Sequence, residues 1–153
     1  DLLSRGEKSA QERGSRLVSA AEMESRKMTL AAKQEVLDQA FDLALQKLLS
    51  LPQADYAALL AKLAASAARS GQEQIILNPE DRKKVGEQVV SQANQLLSKA
   101  GLAPKLSLSE QTRPIQGGLL LSDGAVEVNC ALETLVRLSR TEATGEVSKL
   151  LFQ

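Results

Sequence analysis

The first proline of the chain is Pro52, and the residues before it are dominated by Ala, Leu, Glu, Gln, Lys and Arg, with charges of both signs every few positions. Proline ends helices more strongly than any other residue, and these six types are among the best helix formers. One long helix is therefore predicted over residues 1–51. At roughly 1.5 Å per residue it reaches about 75 Å, more than twice the width of a small domain. Such a chain folds as a small domain with a helical extension. Gly6 and Gly14 weaken the first turns by up to about 1 kcal/mol each relative to alanine.

Apolar residues in this segment are too sparse for the broad stripe of an ordinary core helix. Several recur at eleven-residue steps: Ala10, Ala21 and Ala32; Leu17 and Met28; Leu30 and Phe41; Leu37 and Leu48. An eleven-residue repeat averages about 3.67 residues per turn, which favours a right-handed supercoil with another helix. Leu17, Ala21, Met28 and Ala32 are the candidate contacts to that partner helix. The alternative is a solvated single helix that packs on its own domain only near Phe41, Leu45, Leu48 and Leu49. On the residues alone both readings stand.

Leu51-Pro52 breaks the helix, because proline disfavours helical geometry in the residue before it. A second, alanine-rich helix is expected from about Asp55 to Ala68 and a buried strand over Glu73 to Leu77. Asn78-Pro79-Glu80-Asp81 is the clearest boundary in the chain: a capping side chain, proline at the first helical position, then acids suited to a helix N-terminus. The third helix runs on through Gly86 to Gly101. A half-buried strand follows at Lys105 to Ser109. Ser122-Asp123-Gly124 separates two apolar runs, Gly118 to Leu121 and Ala125 to Asn129, which predicts a hairpin with Val126 and Val128 buried. A last helix begins near Ala131, and its apolar pattern resumes after Gly145 at Val147, Leu150 and Leu151. The fold class expected is α+β: a stalk helix over 1–51, then a domain over 52–153 with about four strands packed against helices in the order αβαβββα.

Composition narrows the function. Nineteen basic and nineteen acidic residues cancel, and only Phe41, Tyr56 and Phe152 are aromatic. Neither a nucleic-acid-attracting field nor a base-stacking platform is expected. With no histidine and the single Cys130, a structural zinc site and an internal disulfide are not expected, which fits a reducing, cytoplasmic setting. No apolar run approaches the roughly 20 residues of a membrane span. The chain opens at Asp1 without a methionine or a signal-peptide pattern, so a fragment of a longer protein is expected.

Candidate chemistry is thin. Gly117-Gly118 suggests a phosphate loop, but Leu119-Leu120-Leu121 follows where a Walker loop carries Lys and Ser or Thr. Paired glycines at a strand entrance serve a backbone bend or a close approach instead. Asp123 and Glu127 fall in a turn and on the wet side of a strand, and no histidine is present to activate Cys130. Arg113, Lys105, Lys83 and Lys84 read equally as surface contacts or as solvated charges. No catalytic residue, cofactor or metal is expected.

The run Gln116-Gly117-Gly118-Leu119-Leu120-Leu121-Ser122-Asp123-Gly124-Ala125-Val126-Glu127-Val128-Asn129 resembles the E subunit family of V-type and archaeal-type rotary ATPases. There a glycine pair, an apolar strand, a short turn and a strand ending in asparagine precede the terminal helix. Leu132-Glu133-Thr134-Leu135, the ending Glu146-Val147-Ser148-Lys149-Leu150-Leu151-Phe152 and the Leu77-Asn78-Pro79-Glu80-Asp81 junction extend the likeness over nearly the whole chain. The resemblance implies a non-catalytic peripheral-stalk subunit of a proton- or sodium-transporting complex, cytoplasmic and peripheral to the membrane. Its long helix would pair with a helical G-type (also H or F) subunit. Its globular domain would dock on the B subunit of the catalytic head, and the stalk would reach the membrane stator subunits indirectly. The helix before Leu17 is shorter than a complete subunit of this family implies. Two other readings compete: a stator-like protein of flagellar or type III export ATPases, and a small regulatory domain that binds a metabolite in a polar pocket.

Overall fold

The computed structural model describes the backbone of residues 1–152 and all side chains there except those of residues 147, 148 and 150–152. The apolar pattern expected at Val147, Leu150 and Leu151 therefore lies outside the described residues. Helix α1 (Leu2–Leu49) runs unbroken through both glycines, as the proline-free composition predicts. It is followed by α2 (Gln53–Ala67), β1 (Gln74–Leu77), α3 (Pro79–Lys99), β2 (Ser107–Thr112), β3 (Gly118–Ser122), β4 (Glu127–Ala131) and α4 (Leu132–Phe152). The order after Pro52 is αβαβββα, and the class is α+β. The chain forms two compact units, residues 1–39 with the segment from Thr141 onward, and residues 40–140.

In the second unit a four-stranded sheet has the order β2-β1-β3-β4. β1 and β2 run parallel, so the connection between them must cross over, and α3 makes that crossover. β3 pairs antiparallel with both β1 and β4. Ile75, Leu77, Leu119, Leu121 and Cys130 point from the sheet into one core with Ala57, Leu60, Ala61 and Ala64 of α2 and Val85, Val89, Ala93 and Leu97 of α3. The four α3 residues recur every fourth position, which keeps them on one helix face. Small residues on α2 let it lie close to α3. Gly86 has a similar use: a Cβ there would come within 2.9 Å of Leu108 Cδ2, so the glycine that weakens α3 in isolation lets it settle on β2.

Two of the boundaries that differ from the sequence reading are set by a side chain. β2 starts at Ser107 rather than Lys105, because the preceding Leu106 is satisfied by a side chain. Its N–H donates to Asn94 Oδ1 at 2.9 Å, and its carbonyl accepts from Asn94 Nδ2 at 3.0 Å. An amide on α3 thus substitutes for a strand neighbour. In the hairpin, Asp123 Oδ1 accepts from the N–H groups of both Ala125 and Val126. That draws Ala125 and Val126 into the turn, so Val126 is exposed and β4 begins at Glu127. The same two hydrogen bonds, that from Val126 foremost, hold the exposed Asp123 carboxyl below its ordinary range.

The α2–β1 connection is organised by Glu73, which is 5% exposed. Its carboxylate accepts from the N–H groups of Arg69, Ser70 and Gly71 and from the Ser70 hydroxyl. Burial alone would raise its pKa, but these hydrogen bonds outweigh it and hold the group below the usual carboxylate range. Gly71 has φ +77, and a Cβ on it would run into the Ala103 carbonyl. Replacing Glu73 with glutamine is expected to cost about 2 kcal/mol at neutral pH, because backbone donors lose a charged acceptor. A depressed carboxylate stabilises the fold above its unfolded value and loses that contribution as pH falls. Urea denaturation of both proteins should therefore show the gap narrowing below pH 4.5, the group's ordinary value.

Candidate functional site

Two features stand out: a bare apolar face on α1, and a polar junction inside the second unit. On a helix each residue turns about 100° from the last. By that measure Leu30, Leu37, Phe41, Leu45 and Leu48 fall on one face of α1, and all five are half-buried. Leu45, Leu48 and Leu49 pack against the core of the second unit. Leu17, Ala21, Met28 and Ala32 fall on the roughly opposite face, and all four are exposed. Leu17 is 72% exposed, Met28 66%, and Val36 on the same face 65%. The eleven-residue series therefore sort into two classes. Leu30–Phe41 and Leu37–Leu48 belong to the covered face; Ala10–Ala21–Ala32 and Leu17–Met28 belong to the bare one. Helical spacing puts the two classes on opposite faces, and the packing decides which face is covered.

At the junction, Pro52 stands at the N-cap of α2, and Tyr56 falls in the first turn. The Tyr56 hydroxyl donates to Asp81 Oδ2 at 2.7 Å and accepts from the Gly118 N–H at 3.0 Å. Asn78 caps α3 by accepting from the Asp81 N–H at 2.7 Å. Its amide nitrogen donates to the carbonyls of Ile115 and Gln116. One asparagine so ties the start of α3 to the loop entering β3. The glycine pair completes the arrangement. A Cβ on Gly117 would collide with Leu49 and with the Tyr56 hydroxyl, and Gly118 adopts φ +85. Both roles expected of a glycine pair at a strand entrance, bend and close approach, occur side by side.

Burial, then the hydrogen bond to Asp81, pushes the Tyr56 hydroxyl well above its ordinary value. Burial also raises Asp81, against the lowering effect of the same hydrogen bond. Tyr56→Phe leaves the Gly118 N–H without its acceptor and Asp81 without its donor, and is expected to cost about 2 kcal/mol in chemical denaturation. Asp81 gives a pH signature of opposite sign to Glu73. Its folded pKa lies above 3.8, so its contribution is full below that pH and is lost as pH rises through the folded value. Asp81→Asn keeps an acceptor for Tyr56 at every pH. Its stability relative to the wild type should rise between acid and neutral pH.

These groups do not assemble chemistry. Cys130 is buried, and burial raises its thiol pKa, the opposite of what activates a nucleophile. Glu127 is engaged by Arg113 at 2.6 Å. Among the described residues no group of three or more potential metal-binding side chains comes together, and no helix is long and apolar enough to cross a membrane. The polar hollow that a metabolite-binding domain would need has a counterpart on the second face of the sheet, lined by Gln74, Ser109, Ser122, Asp123 and Glu127. Of that lining, Glu127 is already paired with Arg113. Neither Lys83 nor Lys105 lines that hollow, while Lys84 pairs with Glu80 on α3.

Comparison with known proteins adds an independent line. A family model described as ATP synthase (E/31 kDa) subunit matches residues 2–152. The E subunit of the V-type ATP synthase of Acetivibrio thermocellus is 37% identical over 106 residues, which cover 69% of this chain and 54% of that protein. The E subunit of the V-type proton ATPase of Thermoanaerobacter pseudethanolicus is 35% identical over 127 residues, covering 83% of this chain and 64% of the relative. The E subunit of the V-type ATP synthase of Clostridium botulinum strain Langeland is 32% identical over 143 residues, covering 94% and 72%. The chain thus spans between 54% and 72% of the length of these three curated relatives.

Proposed function

The chain belongs to the ATP synthase (E/31 kDa) subunit family, and from that premise we propose that it is a non-catalytic peripheral-stalk subunit of a V-type or archaeal-type rotary ATPase. The observation that carries this reading is the bare apolar face at Leu17, Ala21, Met28 and Ala32, opposite the face of α1 that is half-buried within the chain. Exposed leucine and methionine at helical spacing suit a groove-forming helix from another subunit. Residues 1–51 would supply the stalk helix, paired with the helical G-type subunit in a right-handed supercoil. Residues 52–153 would dock on the B subunit of the catalytic head. The stalk reaches the membrane stator subunits indirectly, so the chain is cytoplasmic and peripheral. A helical rod suits this task because it bends elastically while keeping its backbone hydrogen bonds.

The Tyr56 junction supports the same reading. It brings Leu49, at the C-terminal end of α1, against Gly117 and ties Tyr56 of α2 to Gly118. Tagged full chain purified from its native membranes should bring down a small helical subunit together with the A and B ATPase subunits. Recovery of export-apparatus proteins in their place would transfer the chain to a secretion ATPase. Isolation without any ATPase subunit from an intact, solubilised complex would overturn the reading.

A further inference from the structure

Each alanine of the series Ala10, Ala21 and Ala32 is flanked by the residues one and three positions later, which lie roughly 100° to one side of it and roughly 60° to the other. Those flanks are Gln11 and Arg13, then Glu22 and Glu24, then Lys33 and Glu35, and all are exposed. Their charges are therefore one positive, two negative and none net. The middle step alone carries like charge on both sides of the apolar face. Arg26 and Lys27 follow within about a turn, roughly 140° and 120° from Ala21, against roughly 100° and 60° for Glu22 and Glu24. Among the described residues no ion pair engages Glu22 or Glu24; the ion pair on this stretch of α1 joins Glu12 and Arg16.

The geometry points to a charge filter at Ala21: the bare face takes a helix from a different chain that carries basic side chains on both flanks there, and Glu22 and Glu24 disfavour an in-register second copy of this chain. The inference rests on the stalk reading and adds the chemistry of the partner. A parallel in-register pair of two copies would bring four carboxylates around the two Ala21 residues. Residues flanking an apolar seam choose partners by charge in this way. At the Ala32 step Lys33 and Glu35 would instead meet each other's opposites, so the discrimination is concentrated at one level of the helix.

Sedimentation equilibrium of the full chain tests the exclusion without any partner. Glu22→Gln with Glu24→Gln is expected to tighten self-association roughly fivefold at low salt, the scale of two relieved like-charge pairs. The gain should shrink at high salt and vanish when Leu17→Glu is added. Self-association no tighter than that of the wild type overturns the filter. The second arm uses the chain with the helical subunit recovered from its native ATPase. Glu22→Lys with Glu24→Lys is expected to release that subunit, and exchanging the subunit's facing basic residues for glutamate should restore it. If Leu17→Glu with Met28→Glu releases the subunit while the charge reversal retains it at every salt concentration, the filter is wrong and the stalk reading stands. If neither variant releases it, both fall.

Discussion

Gly118→Val is expected to destabilise the second unit by about 4 kcal/mol, most of the stability of a domain at the lower end of the roughly 5–15 kcal/mol range. Two independent costs add. Gly118 sits at φ +85, where a β-branched residue is strained by about 1–3 kcal/mol. A Cβ there would also lie 2.5 Å from the Cys130 carbonyl oxygen, 2.6 Å from the Leu132 nitrogen and 2.9 Å from the Ala131 Cα. These are backbone atoms of β4 and the start of α4, and they cannot swing aside as a side-chain tip can. The substitution therefore also breaks the end of the β3–β4 register, Gly118 opposite Ala131. Calorimetry should show the loss. Gly6→Ala is the contrasting case: nothing lies within 4 Å of the added atom, and alanine is the better helix former, so a gain of up to about 1 kcal/mol is expected.

Leu17→Glu combined with Met28→Glu is expected to weaken pairing with the helical stalk subunit on the order of a hundredfold or more, since each buried side chain of this size is worth about 1.5–3 kcal/mol. The isolated chain should hardly notice. Both residues are exposed, at 72% and 66%, and surface changes away from packed features stay within about 0.5 kcal/mol. Co-elution from a sizing column and a thermal melt of the chain alone measure the two halves of this prediction. A lowered melting temperature for the isolated double variant would mean that the face already packs inside the chain, and the partner assignment would then be withdrawn. Together with Gly118, this pair separates the two parts of the molecule by their physics. One fails by strain within a closed core; the other fails only when a second chain is present.

What the sequence determined by itself is local. A proline-free run of good helix formers up to Pro52 made α1, and Asn78-Pro79-Glu80-Asp81 started α3 at the expected residue, because capping and proline geometry act within a few positions of one another. The apolar run of β3 and the Ser122-Asp123-Gly124 turn similarly placed the hairpin. The order and spacing of such signals also carried the family resemblance. Tertiary structure decided the rest. Helical spacing puts Leu37 and Met28 on opposite faces of α1, but which of the two faces is bare depends on what packs against the helix. β2 begins at Ser107 because Asn94, 12 positions upstream of Leu106, took over both backbone hydrogen bonds of Leu106. Strand order, the parallel β1–β2 pairing and the Tyr56–Asp81–Gly118 junction bring together groups as much as 62 residues apart. No local pattern reports such a meeting, because the free energy that selects it is the burial of the whole sheet against α2 and α3, shared among all the residues that close the core.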